Sequence, residues 1–187
     1  MIIVAISIKY LEPIRECPLM NIGKGSELPA KKKDRIYSYS NETIGLMIMK
    51  FLHLGKYYDL HELIDTAELD EEQLNINLKK FYFSSCKKIV AERIKIYQQQ
   101  LKVKPKSVDI VESRTKWGSC SSDKKLTFNY RLAMAPIEVI DYVIIHELCH
   151  LTHMNHDRSF WRRVGSIMRD YKNKEQFLAQ YGHHMTY

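Results

Sequence analysis

The chain has 187 residues, of which 45% are hydrophobic and 27% charged, with a formal net charge of +7. This balance excludes a disordered polymer and a multi-span membrane protein, and the length suffices for one ordinary domain whose core folds without a staple. The positive excess is mostly dispersed lysine, including Lys31, Lys32, Lys33, Lys87, Lys88, Lys102, Lys104 and Lys106. Such dispersion is that of a solvated surface, and it leaves nucleic acid or an acidic protein open as a partner.

Residues 1–8 are apolar but far too short to span a bilayer, and no basic stretch precedes them as a secretion signal requires, so an amino-terminal strand and no membrane association are expected. Cys17, Cys86, Cys120 and Cys149 are scattered without a CxxC pair, which argues against a disulfide framework or a cysteine zinc ribbon and for a reducing cytoplasm. Up to about residue 40, Pro13, Pro18, Gly23, Gly25 and the lysine run read as strands and loops with no nameable chemistry. From Asn41 to about Leu101 the composition turns helical. The strongest segment covers residues 70–101, where Leu74, Leu78, Phe81, Ile89, Val90 and Ile94 recur at helical spacing and Asp70, Glu71 and Glu72 suit a helix start.

The period then changes. Residues 107–111 and 125–130 are rich in β-formers and read as two strands of a small sheet. Between them, residues 117–123 read as a turn-rich connector in which Gly118 supplies backbone angles that other residues resist. Pro136 opens the next helix, where its missing N–H costs nothing, and Val139, Ile140, Val143, Ile144, Leu148 and Leu151 supply a buried side. A second helix is expected over about 158–171, with Asp157 as its N-cap. The chain thus divides into a variable strand and loop segment, 1–60, and a domain carrying the chemistry, 61–187.

That chemistry centres on His146-Glu147-Leu148-Cys149-His150. Residues four apart on a helix differ by about 40° in direction and about 6 Å in height, so the two imidazoles can converge on one cation. Glu147 lies on the same half of the helix, where its carboxylate can reach a metal-activated water. H-E-x-x-H therefore supplies two neutral ligands and a general base, one protein ligand short of an open tetrahedral zinc site. His153 lies two turns from His146, about 10 Å along the axis, too far for a straight helix to bring to the same ion. His156 reaches the ion if the chain turns back at Asn155, which tolerates the left-handed conformation; Glu175 is a fallback.

Other residues have plainer readings. Cys149 points about 100° away from His150 and reads as a packed thiol. His183 and His184 fall in a tail beside Gly182, and Phe160 and Trp161 serve to anchor the second helix or to line a pocket. Tyr142, Arg158 and His153 are unranked candidates for an oxyanion donor.

The ordered series Trp117-Gly118-Ser119-Cys120, Asn129-Tyr130-Arg131-Leu132, Ala135-Pro136, the run from Asp141 through His146-Glu147 and His150-Leu151, then Met154-Asn155-His156 and Phe160-Trp161 resembles the YgjP-like predicted metal-dependent hydrolases, relatives of the SprT-like and WLM zinc peptidases. The resemblance covers roughly residues 75–180. It implies an α+β, gluzincin-like minimal zincin domain with a small twisted sheet packed on the active-site helix and further helices. It also implies one zinc ion on His146, His150 and His156, and Glu147 as general base in hydrolysis of an amide bond by a zinc-activated water. The substrate would be a peptide or protein, with the strand around residues 126–130 forming an edge on which an extended peptide pairs. Where the family usually has arginine before the tryptophan this chain has Lys116, and where it has Ser-Pro after the third histidine this chain has Asp157-Arg158. A nucleic-acid-associated SprT-like protease and a purely structural zinc site, closed by a fourth ligand such as His153, are the competing readings.

Overall fold

The structure, a computed structural model, describes the backbone of residues 4–7 together with residues 50–186. The expectations for residues 8–49, among them the loops, Cys17 and the Lys31 to Lys33 run, lie outside the described residues.

Leu54 and Gly55 both take positive φ, 51° and 75°, as a tight turn between two strands requires. They join β2 (Lys50–His53) to β3 (Lys56–Asp59) as an antiparallel hairpin. Helical composition was the wrong guide here, because turn chemistry flanked by Phe51 and the Tyr57-Tyr58 pair favours a ribbon. The turn is tied down by Leu54 N–H donating to Ala133 O at 2.8 Å and Gly55 N–H to Met134 O at 3.0 Å.

After the short α1 (Leu60–Leu63), α2 runs Glu71–Leu101 as expected, with Asp70 accepting from Gln73 N–H and Lys102 closing the helix in the left-handed conformation. Its buried residues fall at every fourth position from Leu74 to Ile94. On a 3.6-residue helix each such step turns about 40°, so the stripe winds around the helix and meets successive neighbours. The Tyr82 hydroxyl donates to Leu52 O at 2.8 Å, the Cys86 thiol donates to Asn129 O at 3.5 Å, and Arg93 reaches Asp141.

The sheet contains β1 (Val4–Ser7), β4 (Ser107–Val111), β5 (Lys116–Cys120) and β6 (Lys125–Asn129) in the order β1-β5-β6-β4. β1 and β5 are antiparallel, Ile6 facing Gly118; β5 and β6 are antiparallel, Gly118 facing Phe128; β4 runs parallel to β6, Val108 facing Leu126. Two expectations change. Residues 116–120 are a strand, the turn being confined to residues 121–124, because Trp117 and Cys120 are driven into the core. And β6 is an inner strand with both backbone edges paired, so it cannot be the edge that receives a peptide.

Asn129 locks the exit from β6. Its amide donates to Ser113 O at 2.7 Å and Lys116 O at 2.9 Å while its Oδ1 accepts from Arg131 N–H. A 3₁₀ turn, Tyr130–Met134, then leads to α3 (Ile137–Cys149), opened by Pro136 as expected. From Val139 to Cys149 every residue of α3 is buried, which makes it the central helix rather than a surface one with a single buried stripe. α4 (Arg158–Ile167) begins where expected, with Asp157 accepting from Phe160 N–H, but ends four residues early at an extended Met168. The chain restarts as α5 (Tyr171–Tyr181), whose polar run Lys172-Asn173-Lys174-Glu175-Gln176 hides its helical period. His183 and His184 lie in a short 3₁₀ turn, not a loose tail, because Gly182 packs against Trp117: a Cβ there would come within 2.7 Å of the indole. The result is α+β, a small sheet packed on a buried helix carrying the histidine pair, as a minimal zincin domain requires.

Candidate metal centre

α3 places His146 and His150 on one face in its last turn, 2% and 0% exposed. The backbone then unwinds through residues 151–156, with His153 N–H still reaching Cys149 O, and the bend returns His156 to the helix end. The three Nε2 atoms form a triangle: His146 to His150 is 3.0 Å, His150 to His156 is 3.2 Å, and His146 to His156 is 2.9 Å.

Hydrogen bonding alone does not satisfy that triangle. His150 Nδ1 lies 2.9 Å from His153 O; the carbonyl can only accept, so Nδ1 carries the proton and His150 Nε2 presents a bare lone pair. With no proton on one corner, three mutual hydrogen bonds are impossible and at least one contact is repulsive. A cation at the centre would accept all three lone pairs, and tetrahedral ligand nitrogens at zinc distances stand about 3.3 Å apart. The donor set therefore fits a metal ion. Among the described residues it is the group of histidine, cysteine and carboxylate side chains with that spacing. His153 is not in it, its Nδ1 being 3.1 Å from Ser159 Oγ, and neither is Glu175.

Burial sets the protonation. It pushes His146 well below the ordinary imidazole value, with His150 and His156 adding to the shift, and brings His150 down to about 4. His156, more exposed, is lowered by burial and partly restored by Glu175. All three are thus held neutral, the form a metal needs.

Glu147 is 0% exposed, and neither carboxylate oxygen has a hydrogen-bond partner among the described residues. Burial raises it well above the carboxylate range, and Lys116 opposes the shift. An unpartnered buried carboxylate is costly unless something absent from the chain completes it. Its space is made by Gly118, where an added Cβ would lie 2.7 Å from Glu147 Oε1 and 2.8 Å from Cγ. The φ of Gly118 is not in the left-handed region, so this glycine is required for close approach rather than for backbone angle. The sequence reading missed that role; the signal was a glycine inside a strand.

α4 supplies the wall. Phe160, buried, stacks on His150 with centroids 4.4 Å apart at 24°, and Trp161 stacks on His156 at 5.6 Å and 26°. Both were read chiefly as core anchors, and both touch the histidines. Tyr142 meets His146 edge-on at 5.8 Å, with a buried hydroxyl that has no hydrogen-bond partner among the described residues. Cys149 is a packed free thiol, raised by burial to about 12, and no ligand.

Fold and site together define a small α+β hydrolase-type domain with a three-histidine candidate metal centre. Residues 26–181 match the family model described as YgjP-like, metallopeptidase domain. The chain belongs to that YgjP-like metallopeptidase family, which implies a metal ion. A solved structure, the metallopeptidase zymogen abylysin of Pyrococcus abyssi, is similar at 23% identity over 46% of this chain and 89% of that one, with a TM-score of 0.43. A search of curated proteins finds no match. No helix among the described residues is long and apolar enough to cross a membrane.

Proposed function

We propose that this protein is a zinc-dependent peptidase in which His146, His150 and His156 hold one zinc ion and Glu147 is the general base. The observation that carries this reading is the Nε2 triangle beside a fully buried carboxylate with no hydrogen-bond partner among the described residues. Zinc, when bound, supplies the Lewis acidity that polarises a carbonyl and acidifies water. Glu147, raised by burial, is suited to take the proton of the attacking water and to return it to the leaving nitrogen. Gly118 leaves room for its carboxylate, His153 O fixes the His150 tautomer, and Phe160 with Trp161 packs against the rings. Three histidine donors, with His153 engaged by Ser159, suit an open site better than a closed structural one. In this reading residues 61–187 carry the peptidase chemistry, residues 1–60 are a variable strand and loop segment whose β1 and β2–β3 hairpin join that domain, and the protein works in the cytoplasm, where the free thiols Cys86, Cys120 and Cys149 stay reduced.

Elemental analysis of the purified protein tests it. Near-stoichiometric zinc, lost in His150→Ala and kept in Glu147→Gln, is expected, with peptide hydrolysis by Glu147→Gln reduced by about 10²–10⁴-fold. A wild-type protein that stays free of zinc after resupply overturns the proposal.

A further inference from the structure

Beside the histidines, α4 and α5 flank an open surface cavity of about 620 Å³ lined by Arg158, Trp161, Arg162, Tyr171, Lys172 and Glu175, the four charged groups being exposed at its rim. Helical spacing builds it. Arg158, Trp161 and Arg162 follow the i, i+3, i+4 stripe of α4, and Tyr171 and Glu175 stand one turn apart on α5. Trp161 belongs to both sites: it stacks on His156, meets His146 at 5.7 Å, and stacks on Tyr171 at 5.1 Å and 15°. The cavity therefore begins one aromatic ring from the Nε2 triangle.

Its charge is unbalanced, three cations against Glu175. Among the described residues Arg158, Arg162 and Lys172 form no ion pair, whereas nearby Lys174 is held by Asp170 at 2.9 Å. Arg158 and Lys172 also stand in the first turns of their helices, where the acids are the N-cap residues Asp157 and Asp170, the first engaged with Phe160 N–H and the second with Lys174. Uncommitted cations around a concavity, over an aromatic floor and next to a candidate metal centre, are arranged for a negative group on whatever the centre acts on.

Resting on the peptidase reading above, we propose that this cavity is a substrate subsite for a carboxylate, the side chain of an aspartate or glutamate beside the scissile bond. Arg158, Arg162 and Lys172 bind the carboxylate, and the Trp161 and Tyr171 rings pack its methylene stem. Glu175 lowers the excess of the three cations to a formal +2, so the lining remains positive after one carboxylate binds. A nucleic-acid backbone needs an extended track of cations instead.

The test uses zinc-loaded Glu147→Gln protein and dye-labelled peptides carrying Glu, Gln or Lys at each position flanking the central bond, read by fluorescence anisotropy. The same peptides are given to wild type for kcat/KM. Glu at one flank is expected to bind about tenfold tighter than Gln, the scale of one charge-assisted contact. The double variant Arg162→Glu/Lys172→Glu is expected to prefer Lys there, and the milder Arg162→Gln and Lys172→Gln to lose the preference in steps. Equal affinities for Glu and Gln, or a preference unchanged by reversal, overturn the subsite. So does displacement of the acidic peptide by a DNA oligonucleotide whose own binding disappears on reversal, which assigns the cations to nucleic acid. If acidic peptides bind selectively and wild type cuts none of the set, the peptidase reading fails and the subsite stands. If peptides are cut with no acidic preference, the reverse holds.

Discussion

Glu147 is placed by a side chain that is not there. Because a Cβ at Gly118 would fall 2.7–3.0 Å from three atoms of the Glu147 side chain, Gly118→Ala must move the carboxylate without touching a histidine. A shift of that kind is expected to lower kcat by about 10²-fold and stability by about 1–3 kcal/mol, with zinc content unchanged by elemental analysis. Loss of zinc together with activity would show that the glycine supports the ligands instead. The same carboxylate governs how the metal-free protein responds to pH. Its folded pKa is raised well above 4.5, so the stability tied to its protonated form is complete below the unfolded value and is lost as pH rises through the folded one. His150 runs the other way. Its folded value of about 4 lies below the ordinary 6.5, so its contribution is complete above 6.5 and is lost as pH falls towards 4. Glu147→Gln removes only the first effect. In chelator, the variant should melt several degrees above wild type at pH 8, each kcal/mol being about 2–4 °C at this length, and the gap should close as pH falls towards 4.5. A gap that is constant with pH would mean the Glu147 carboxylate is not buried as described. Of these residues the sequence made His146, Glu147 and His150 legible, because a helix of known pitch fixes their relation. Gly118 was not legible in that role, since its partner lies 29 positions away on the buried helix packed against the sheet.

At the scale of elements, the central helix is held at its amino-terminal entry and through its first half. The hairpin turn at Leu54 and Gly55 bonds to the residues just before Pro136, and α2 grips the first half of α3 through Arg93. Its Nε donates to Asp141 Oδ1 at 2.6 Å, a second donation goes to Oδ2, and Tyr97 lies 3.2 Å from the same guanidinium. The Asp141 side chain is 7% exposed and that of Arg93 30%, so removing the cation alone strands a nearly buried carboxylate. Arg93→Met is expected to cost about 2–3 kcal/mol in urea unfolding, and Arg93→Met/Asp141→Leu to recover most of it, because an apolar pair leaves no uncompensated charge. If the double variant is as unstable as the single, the pair contributes by geometry rather than charge. These contacts also show what the sequence could reveal. α2, α3, β4 and β6 have strong periods or a capping residue and stand close to where their patterns placed them. β5 was hidden because Gly118 and Ser119 look like turn residues, and because Trp117 and Cys120, both buried but three positions apart, fall on opposite faces and leave no period-2 pattern. The break between α4 and α5 was hidden because Asp170 caps without a side-chain bond to the backbone and few apolar residues mark the second helix.

For the whole molecule, the three histidines join parts that the polypeptide links only through the bend at residues 151–156. His146 and His150 come from the buried helix, while His156 leads directly into α4, which contributes Phe160 and Trp161 to the same cluster and Val164 to the core. α4 touches α2 through Arg163, which donates to Leu101 O at 2.6 Å, and its amino-terminal turn stacks on the histidines through Phe160 and Trp161. A bound ion would draw the three imidazoles to fixed distances and carry that order into α4, whereas without it the repulsive Nε2 contacts loosen the bend. Zinc at 100 times its Kd would stabilise the fold by about 2.7 kcal/mol, or about 5–11 °C in melting temperature. Removing it with a chelator should lower the midpoint by that amount, and adding zinc back should restore it. Hydrogen exchange gives the sharper reading. Amides of residues 151–162 should exchange faster in the metal-free protein, while those of α2 and the sheet, held by the Leu74 to Ile94 stripe and the strand pairing, should keep their protection. Uniform deprotection would mean that the ion supports the entire core and that the bend is not a separate unit. No change at residues 151–162 would mean that His156 is positioned by α4 packing alone, and the third ligand would then have to be sought by testing His156→Ala for retained zinc.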